Sequence, residues 1–455
     1  MAKKIKPLAV LGAGSVKSPQ IPRKMGPILT FTSFWPVRNL CIALSVVCFL
    51  LYADTLPNGY VMDDVIVLKE NTIVKKGLAA IPELFRTPHM HGYLIIPNDM
   101  YRPLSMVMFA VEYQFFGANP MVGHFFNILV FIGCVIMLFL FLDQFFDGKK
   151  TSIAFIAALL FAIHPIHTEV VANIKSRDEL LCFFFAFWSL RVFVIYMKSG
   201  RLPWLLAGMA ALFLAYLAKE TVITFLGIIP LLFFFYKNEN KKRAIYITVS
   251  TIVIAGIYLA LRASVLTAYH ANEPAAIDFI DNALVSTHGL VRFTTEIVIM
   301  GRYLWLQFIP YPLLSTYSYN AIPFASIASI LFWASLAAYL LLFYIALRGL
   351  TKRDKNPFAF AILFYMISLA LFSNIPFLMG AEMAERFAFF ASAGFCLAAA
   401  LAIDKWIIKT PASNSGVLRQ PKVLAVLAPV FLLFSCLTIA RNADWKDNYT
   451  LYKAS

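Results

Sequence analysis

Long apolar runs separated by short polar breaks dominate this chain. The runs fall at about 39–56, 122–146, 151–170, 179–198, 203–219, 220–236, 243–262, 322–348, 357–377, 384–404 and 422–440. Each is long enough to carry a helix across most or all of a hydrocarbon layer about 30 Å thick. Alternation with period two is weak, which argues against a barrel and predicts a helical bundle. Two apolar stretches do not fit the series. The stretch 288–310 carries Arg292, Glu296 and Arg302 and ends at Pro310. PLSMVMFAVEYQFFG, beginning at Pro103, is short and amphipathic and is expected to lie in the membrane interface.

Composition sharpens this picture. With 61% hydrophobic and 14% charged residues in 455, the chain is too apolar for a soluble globular protein. A formal net charge of +15 then calls for no nucleic acid, because basic residues on the cytoplasmic face explain it. Counting Lys and Arg favours eleven spans with the amino terminus inside and 288–310 lying on or dipping into the outer face. A twelfth span there would move the basic cluster Arg348, Lys352, Arg353 and Lys355 outside. The fold class expected is an all-α polytopic membrane protein. Residues 1–38 read as a basic cytoplasmic arm without a cleavable signal, 39–440 as the membrane domain, and 441–455 as an external stub. Six cysteines, Cys41, Cys48, Cys134, Cys182, Cys396 and Cys436, all lie within apolar runs, so neither a disulfide framework nor a cysteine metal site is expected. No repeat of solenoid period is present.

Topology also sorts the chemistry. Two external regions, about 57–121 and 263–321, exceed simple turns. All seven histidines (His89, His91, His124, His164, His167, His270 and His288) fall on the outer side or at an outer helix end. PNGYVMDDV, residues 57–65, places Asp63 and Asp64 just beyond the first span; taken alone, such a pair is most often a solvated loop acid. The third span ends in HPIHTEVVANIKSRDEL, which carries His164, His167, Glu169, Lys175, Arg177 and Asp178. Three readings of that motif stay open. It can cap a helix end with polar groups, it can ligate a metal, or it can bind an anionic substrate. The metal reading lacks HExxH spacing, and Pro165 breaks the helix between the histidines. Lys175 and Arg177 suit phosphate. Lys219 and Glu220 sit at a tight turn between two apolar runs, where a solvated hairpin tip is the plain alternative. Tyr101, Arg102 and Pro103 stand where the first external loop returns to the membrane, as a site or as an interfacial anchor. Glu382, Glu385 and Arg386 mark the outer start of the tenth span, where Arg386 can bind phosphate or snorkel.

Paired carboxylates, basic residues and histidines on one face of a lipid-flanked bundle suit an enzyme with a polyprenyl-phosphate donor. Its tail stays in the bilayer, Lys or Arg meets the phosphate, and a carboxylate deprotonates the acceptor. A transporter or flippase of lipid-linked sugars would more often put ionisable groups near the midplane. A non-catalytic membrane scaffold is a third class.

On these motifs the sequence resembles the membrane part of the transmembrane and tetratricopeptide-repeat O-mannosyltransferases, within the GT-C glycosyltransferase superfamily. The resemblance runs collinearly over about 39–451. It is carried by NGYVMDDV, YRPLSMVMFAVEYQFFGANPMVGHFFNIL, HPIHTEVVANIKSRDELL, YLAKETVIT, DNALVSTHGLVRFTTEIVIMGRYLWLQFIPYPLLSTYSY, SNIPFLMGAEMAERFAFFASAGFC and RNADWKDNYTLY. It implies an inverting transferase that moves a sugar, mannose by the family pattern, from a polyprenyl-phosphate carrier to a protein Ser or Thr hydroxyl. Asp63 would be the general base, with Asp64 orienting acceptor or donor. Arg102, His164, His167, Glu169, Lys175, Arg177, Asp178, Lys219, Glu220, Glu385 and Arg386 would surround the sugar and phosphate. No cofactor is required by the resemblance, and a divalent cation stays open. The partners implied are the lipid-linked sugar, membrane lipids and an acceptor protein or peptide; because family members continue into helical repeats where this sequence stops at Ser455, either a separate acceptor-recruiting protein is expected or the chain is a truncated form. Short loops favour a bacterial inner membrane with a periplasmic site; an endoplasmic reticulum membrane with a lumenal site is the alternative.

Overall fold

The computed structural model describes residues 37–93, 100–236, 240–269, 277–317, 321–351, 356–408 and 420–454. His270, Lys352, Arg353, Lys355 and most of the basic arm lie outside the described residues. Within them the fold is helical, with a single isolated bridge between Tyr317 and Met383. The helices are α1 (Val37–Tyr52), α2 (Ile81–Leu84), α3 (Pro103–Phe116), α4 (Pro120–Phe145), α5 (Thr151–Ile163), α6 (Thr168–Ala172), α7 (Arg177–Ser199) and α8 (Leu202–Ala218). After these come α9 (Phe225–Phe235), α10 (Lys241–Ala268), α11 (Gly289–Phe308), α12 (Ile330–Thr351), α13 (Pro357–Ala370), α14 (Phe389–Ile403), α15 (Pro421–Asp444) and α16 (Asn448–Lys453).

Seven helices are long and apolar enough to cross a membrane: Val37–Thr55, Pro120–Phe145, Ile174–Ser199, Lys241–Ala268, Ile330–Thr351, Glu385–Ile407 and Pro421–Asp444. This is an integral membrane protein. An eighth candidate is the pair Thr151–Ile163 and Pro165–Ala172, bent by 57° at the break. Leu202–Ala218, Glu220–Phe235 and Pro357–Ala370 are shorter apolar helices. Local chemistry sets many of the ends. Proline occupies the first turn of α3, α4, α8, α13 and α15, where its missing N–H costs nothing. Gly200 closes α7 in the left-handed conformation at φ +68°.

Several boundaries differ from the sequence expectation. The run at 151–170 is interrupted, because α5 stops at Ile163 and Pro165 cannot continue it. The run at 322–348 becomes helical only at Ile330, and that at 357–377 ends at Ala370. Hydropathy extends past these helices because the flanking loops are themselves apolar.

A core of aromatic side chains ties the middle of the bundle together. Phe183 stacks on Phe187 at 4.3 Å and on Phe161 at 5.0 Å, and Phe389 and Phe390 close around it. Helices α13 and α14 approach most closely at Gly394, where a β-carbon would stand 2.6 Å from the Ala361 carbonyl oxygen. Helices α10 and α12 instead turn rows of apolar residues outward, including Val249, Ile252, Val253, Leu340, Leu341 and Phe343. In water such faces would aggregate; a bilayer solvates them. The segment between α1 and α4 has a core of its own. Val67, Leu68, Ile73 and Val74 pack on Met106 and Phe109 of α3 and on Ile174.

Candidate functional site

Residues 57–65 form a sharp turn held from two sides. From the carboxy-terminal side, the Gly59 amide donates to the Lys446 carbonyl at 2.9 Å, and the Met62 amide donates to the Asn448 side-chain oxygen at 2.8 Å. Val61 is buried with Ala172, Trp445 and Leu451. From the opposite side, both Asp64 oxygens accept backbone N–H groups, Oδ2 from Val61 at 3.0 Å and Oδ1 from Lys175 at 2.7 Å. Met62 adopts φ +46°, a conformation strained for any residue with a β-carbon.

The two adjacent acids therefore part company. Asp63 remains 43% exposed, with Oδ2 4.0 Å from Lys175 Nζ. Asp64 is fully buried and fixes the turn to the start of α7; it does not line an open surface. Burial pushes its carboxyl up to about 7, against the pull of its backbone N–H donors, and the neighbouring Asp63 charge adds to the rise.

The break between α5 and α7 builds the rest. Asn173 caps the turn Ile174–Ser176 through the Lys175 amide at 3.1 Å, and Gly123 of α4 makes room for it: a β-carbon there would meet Ile174 at 2.8 Å. This delivers Lys175, Asp178 and Glu179 to one place. Arg102, at the start of α3, donates through Nη1 to Asp178 at 2.8 Å and through Nε to Glu220 at 2.9 Å. Lys175 Nζ lies 3.6 Å from Asp178, and Lys219 pairs with Glu179. Apart from the one-third exposed Glu220, the side chains in these pairs are at most 10% exposed. Lys219 and Glu220 are thus not a solvated hairpin tip, and Tyr101 and Arg102, both buried, are not interfacial anchors.

Beside this network, the backbone amide and guanidinium of Arg386 both bind Glu169, the amide at 2.8 Å. The Arg386 side chain keeps 27% exposure and its charge acts on Asp63 and Asp178, so the two clusters adjoin.

Three expectations are corrected by the geometry. Arg177 is not available to phosphate: it is fully buried, pairs with Glu112, donates to Asn127 at 2.8 Å and to the Gly123 carbonyl at 2.7 Å, and lies over the Phe109 ring. It is a buttress between α3, α4 and α7. His164 and His167 do not converge on one ion. Nε2 of His164 meets the Gln307 carbonyl at 3.1 Å, while Nε2 of His167 meets the Ser392 hydroxyl at 2.7 Å, in a pocket walled by Phe161, Phe389 and Phe434. Among the described residues no three His, Cys, Asp or Glu side chains are grouped to hold a metal ion. Glu385 is fully buried, takes the Tyr317 hydroxyl at 3.2 Å and has Arg441 at 3.8 Å, so its carboxylate is engaged inside the protein.

Sequence reasoning left out Glu179, Glu112, Asn127 and His89, all buried against this network. A signal was available for Glu179, which lies one residue from Asp178 in KSRDEL and can reach the next helix hairpin. Glu112 and Asn127 meet Arg177 from 65 and 50 residues away in sequence, and nothing local marks them or His89.

No family model matches the chain. Curated relatives do. It is 25% identical over 424 residues to Protein O-mannosyl-transferase F38B6.6 of Caenorhabditis elegans, across 92% of this chain and 57% of the relative. It is 28% identical over 454 residues to Protein O-mannosyl-transferase TMTC3 of Mus musculus, across 92% of this chain and 47% of the relative. For Protein O-mannosyl-transferase TMTC4 of Homo sapiens the figures are 25% over 482 residues, 94% and 62%. The chain spans about half the length of the curated relatives it matches. Over some nine-tenths of its own length it is a homologue of proteins named protein O-mannosyl-transferases, the family its motifs resemble.

Proposed function

We propose that this chain is the membrane catalytic part of a GT-C-type glycosyltransferase that moves mannose from a polyprenyl-phosphate carrier to a Ser or Thr hydroxyl of a protein. The observation that carries the proposal is the divergence of the acid pair: one carboxylate is spent on the backbone, and the other stands exposed beside a buried lysine. The acceptor oxygen attacks the anomeric carbon as Asp63 takes its proton. The bond from that carbon to the phosphate oxygen breaks, and the electron pair leaves with the phosphate. Lys175, whose contacts are the longest of the network's cations, and the part-exposed Arg386 take up the developing charge. With Glu220 engaged by Arg102 and Asp63 the carboxylate left beside Lys175, the displacement is single and inverts the sugar. Arg102, Asp178, Glu179, Lys219 and Glu220 lock α3, α7 and α8 into the frame behind these groups.

In this reading residues 39–440 form the catalytic domain, with eleven crossings made from the seven long helices, the bent pair and the three shorter ones. Amphipathic α11 stays at the outer face. The site opens to the lumen or periplasm, and the animal origin of the relatives named above supports the endoplasmic reticulum over the bacterial inner membrane. Acceptor recruitment is assigned to sequence beyond α16 or to a partner, in keeping with the greater length of those relatives.

The test is purified protein incubated with polyprenyl-phosphate mannose and Ser/Thr peptides, with products read by mass spectrometry. Mannosylated peptide is expected from the wild-type chain and about a thousandfold less from Asp63→Asn, which still binds the donor. Equal transfer by the variant would remove Asp63 as base. Sugar lipid moved across vesicles without any transfer would replace the enzyme reading by a flippase.

A further inference from the structure

Four buried histidines lie among the described residues: His89, His124, His164 and His167. Three have a protein partner, His124 on the Gly59 carbonyl at 3.3 Å and the other two as given above. His89 differs. It is 2% exposed, and neither ring nitrogen has a hydrogen-bond partner among the described residues. Its position is firmly set. The His89 amide donates to the Met100 carbonyl at 2.9 Å, the Tyr101 hydroxyl donates to the Phe85 carbonyl at 2.9 Å, and the Tyr258 hydroxyl of α10 donates to the Tyr101 carbonyl at 3.0 Å. The backbone of His89 is thereby tied to the segment that leads into Arg102, and the charges of Arg102, Lys175, Asp178 and Glu220 all act on its ring.

We propose that His89 is a donor-binding residue, giving a ring N–H to a phosphoryl oxygen of the lipid-linked donor held at Lys175. The proposal rests on the function proposed above. Burial, Arg102 and Lys175 hold the ring neutral, at about 3, so it brings one N–H and one lone pair but no charge. Asp178 and Glu220 are already engaged by Arg102, which leaves Lys175 as the loosely held cation that an anion would approach. A buried imidazole without a protein partner is unfavourable unless a ligand completes it, and an anionic oxygen beside Lys175 is the acceptor this surrounding favours.

The experiment uses the full chain in detergent. His89→Phe keeps ring volume without a donor; His89→Gln keeps an N–H. KM is measured separately for polyprenyl-phosphate mannose and for peptide, together with the thermal shift given by the lipid. His89→Phe is expected to raise the donor KM about tenfold or more and to shrink the lipid-induced shift, with peptide KM unchanged. His89→Gln recovers most of both. A folded His89→Phe protein with wild-type donor KM and lipid shift overturns the proposal. Should that variant not fold, His89→Met against His89→Gln decides by the same two readouts, equal values overturning it. A wild-type protein shifted by no lipid phosphate would instead overturn the proposed function, and this inference with it.

Discussion

Helix α7 carries charge pairs at both of its ends, and the two ends are physically unlike. At its start, Asp178 and Glu179 are 1% exposed and meet Arg102, Lys175 and Lys219 inside the protein. At its finish, Lys198 pairs with Asp147 at 2.8 Å while both remain nearly half exposed, and nearby Lys150 meets Asp404 at 3.1 Å in a similar setting. The pairs match in chemistry and nearly in distance. Solvent separates them: exposed pairs are screened and contribute little, whereas buried ones are expensive to leave half-made and hold their partners in one geometry. A buried charge network at one end is where a site is built; at the other end the same residues only keep a helix terminus wet.

That contrast can be broken in order of expected effect. Asp63→Asn, on the exposed rim of the buried network, lowers transfer by about a thousandfold, in the range of a lost general base, while its melting temperature stays within about a degree of wild type. Kinetics and thermal denaturation in one detergent preparation check both halves. Arg102→Met strands Asp178 and Glu220 and is expected to cost about 3–5 kcal/mol in unfolding free energy. Asp64→Asn loses an acceptor for one of two backbone N–H groups, about 1–3 kcal/mol. It also changes the response to pH. The folded Asp64 carboxyl sits at about 7, above its unfolded value near 3.9, so the folded state holds the proton more tightly. Its contribution is full below the unfolded value and is lost as pH rises toward and through about 7. Wild-type melting temperature should fall between pH 5 and pH 8 more than that of Asp64→Asn. Asn448→Ala frees the Met62 amide, costs about 1 kcal/mol and lowers kcat more than it alters donor KM, because it loosens the turn that aims Asp63. Lys198→Ala should cost under about 1 kcal/mol; a loss as large as that of Arg102→Met would erase the distinction between the two ends.

The membrane part was largely legible in the chain. Each apolar run holds a helix, because an uncharged run of that length in lipid has no other way to satisfy its backbone. Pro165 correctly signalled the interruption between His164 and His167. Errors in extent at 322–329 and 371–377 came from apolar loops, which hydropathy does not separate from helices. The site was legible as a set of residue types and not as a set of roles. Arg177 and Lys175 are two residues apart and read alike, yet one is locked behind Glu112 and Asn127 and the other reaches Asp63. RNADWKDNYTLY lies in the segment read as an external stub, and its Asn448 and Lys446 turn out to grip the turn that bears Asp63.

The sequence alone determined that this protein lives in a membrane, where its helices lie and which residues carry charge near their ends. Those follow from composition and spacing, which act locally along the chain. Tertiary structure decided that Asp63 faces out while Asp64 faces in, that Arg177 is a strut, and that the buried His89 ring has no hydrogen-bond partner among the described residues. These depend on burial and on partners brought in from distant segments, and charge, exposure and hydrogen bonding are fixed only when those segments meet.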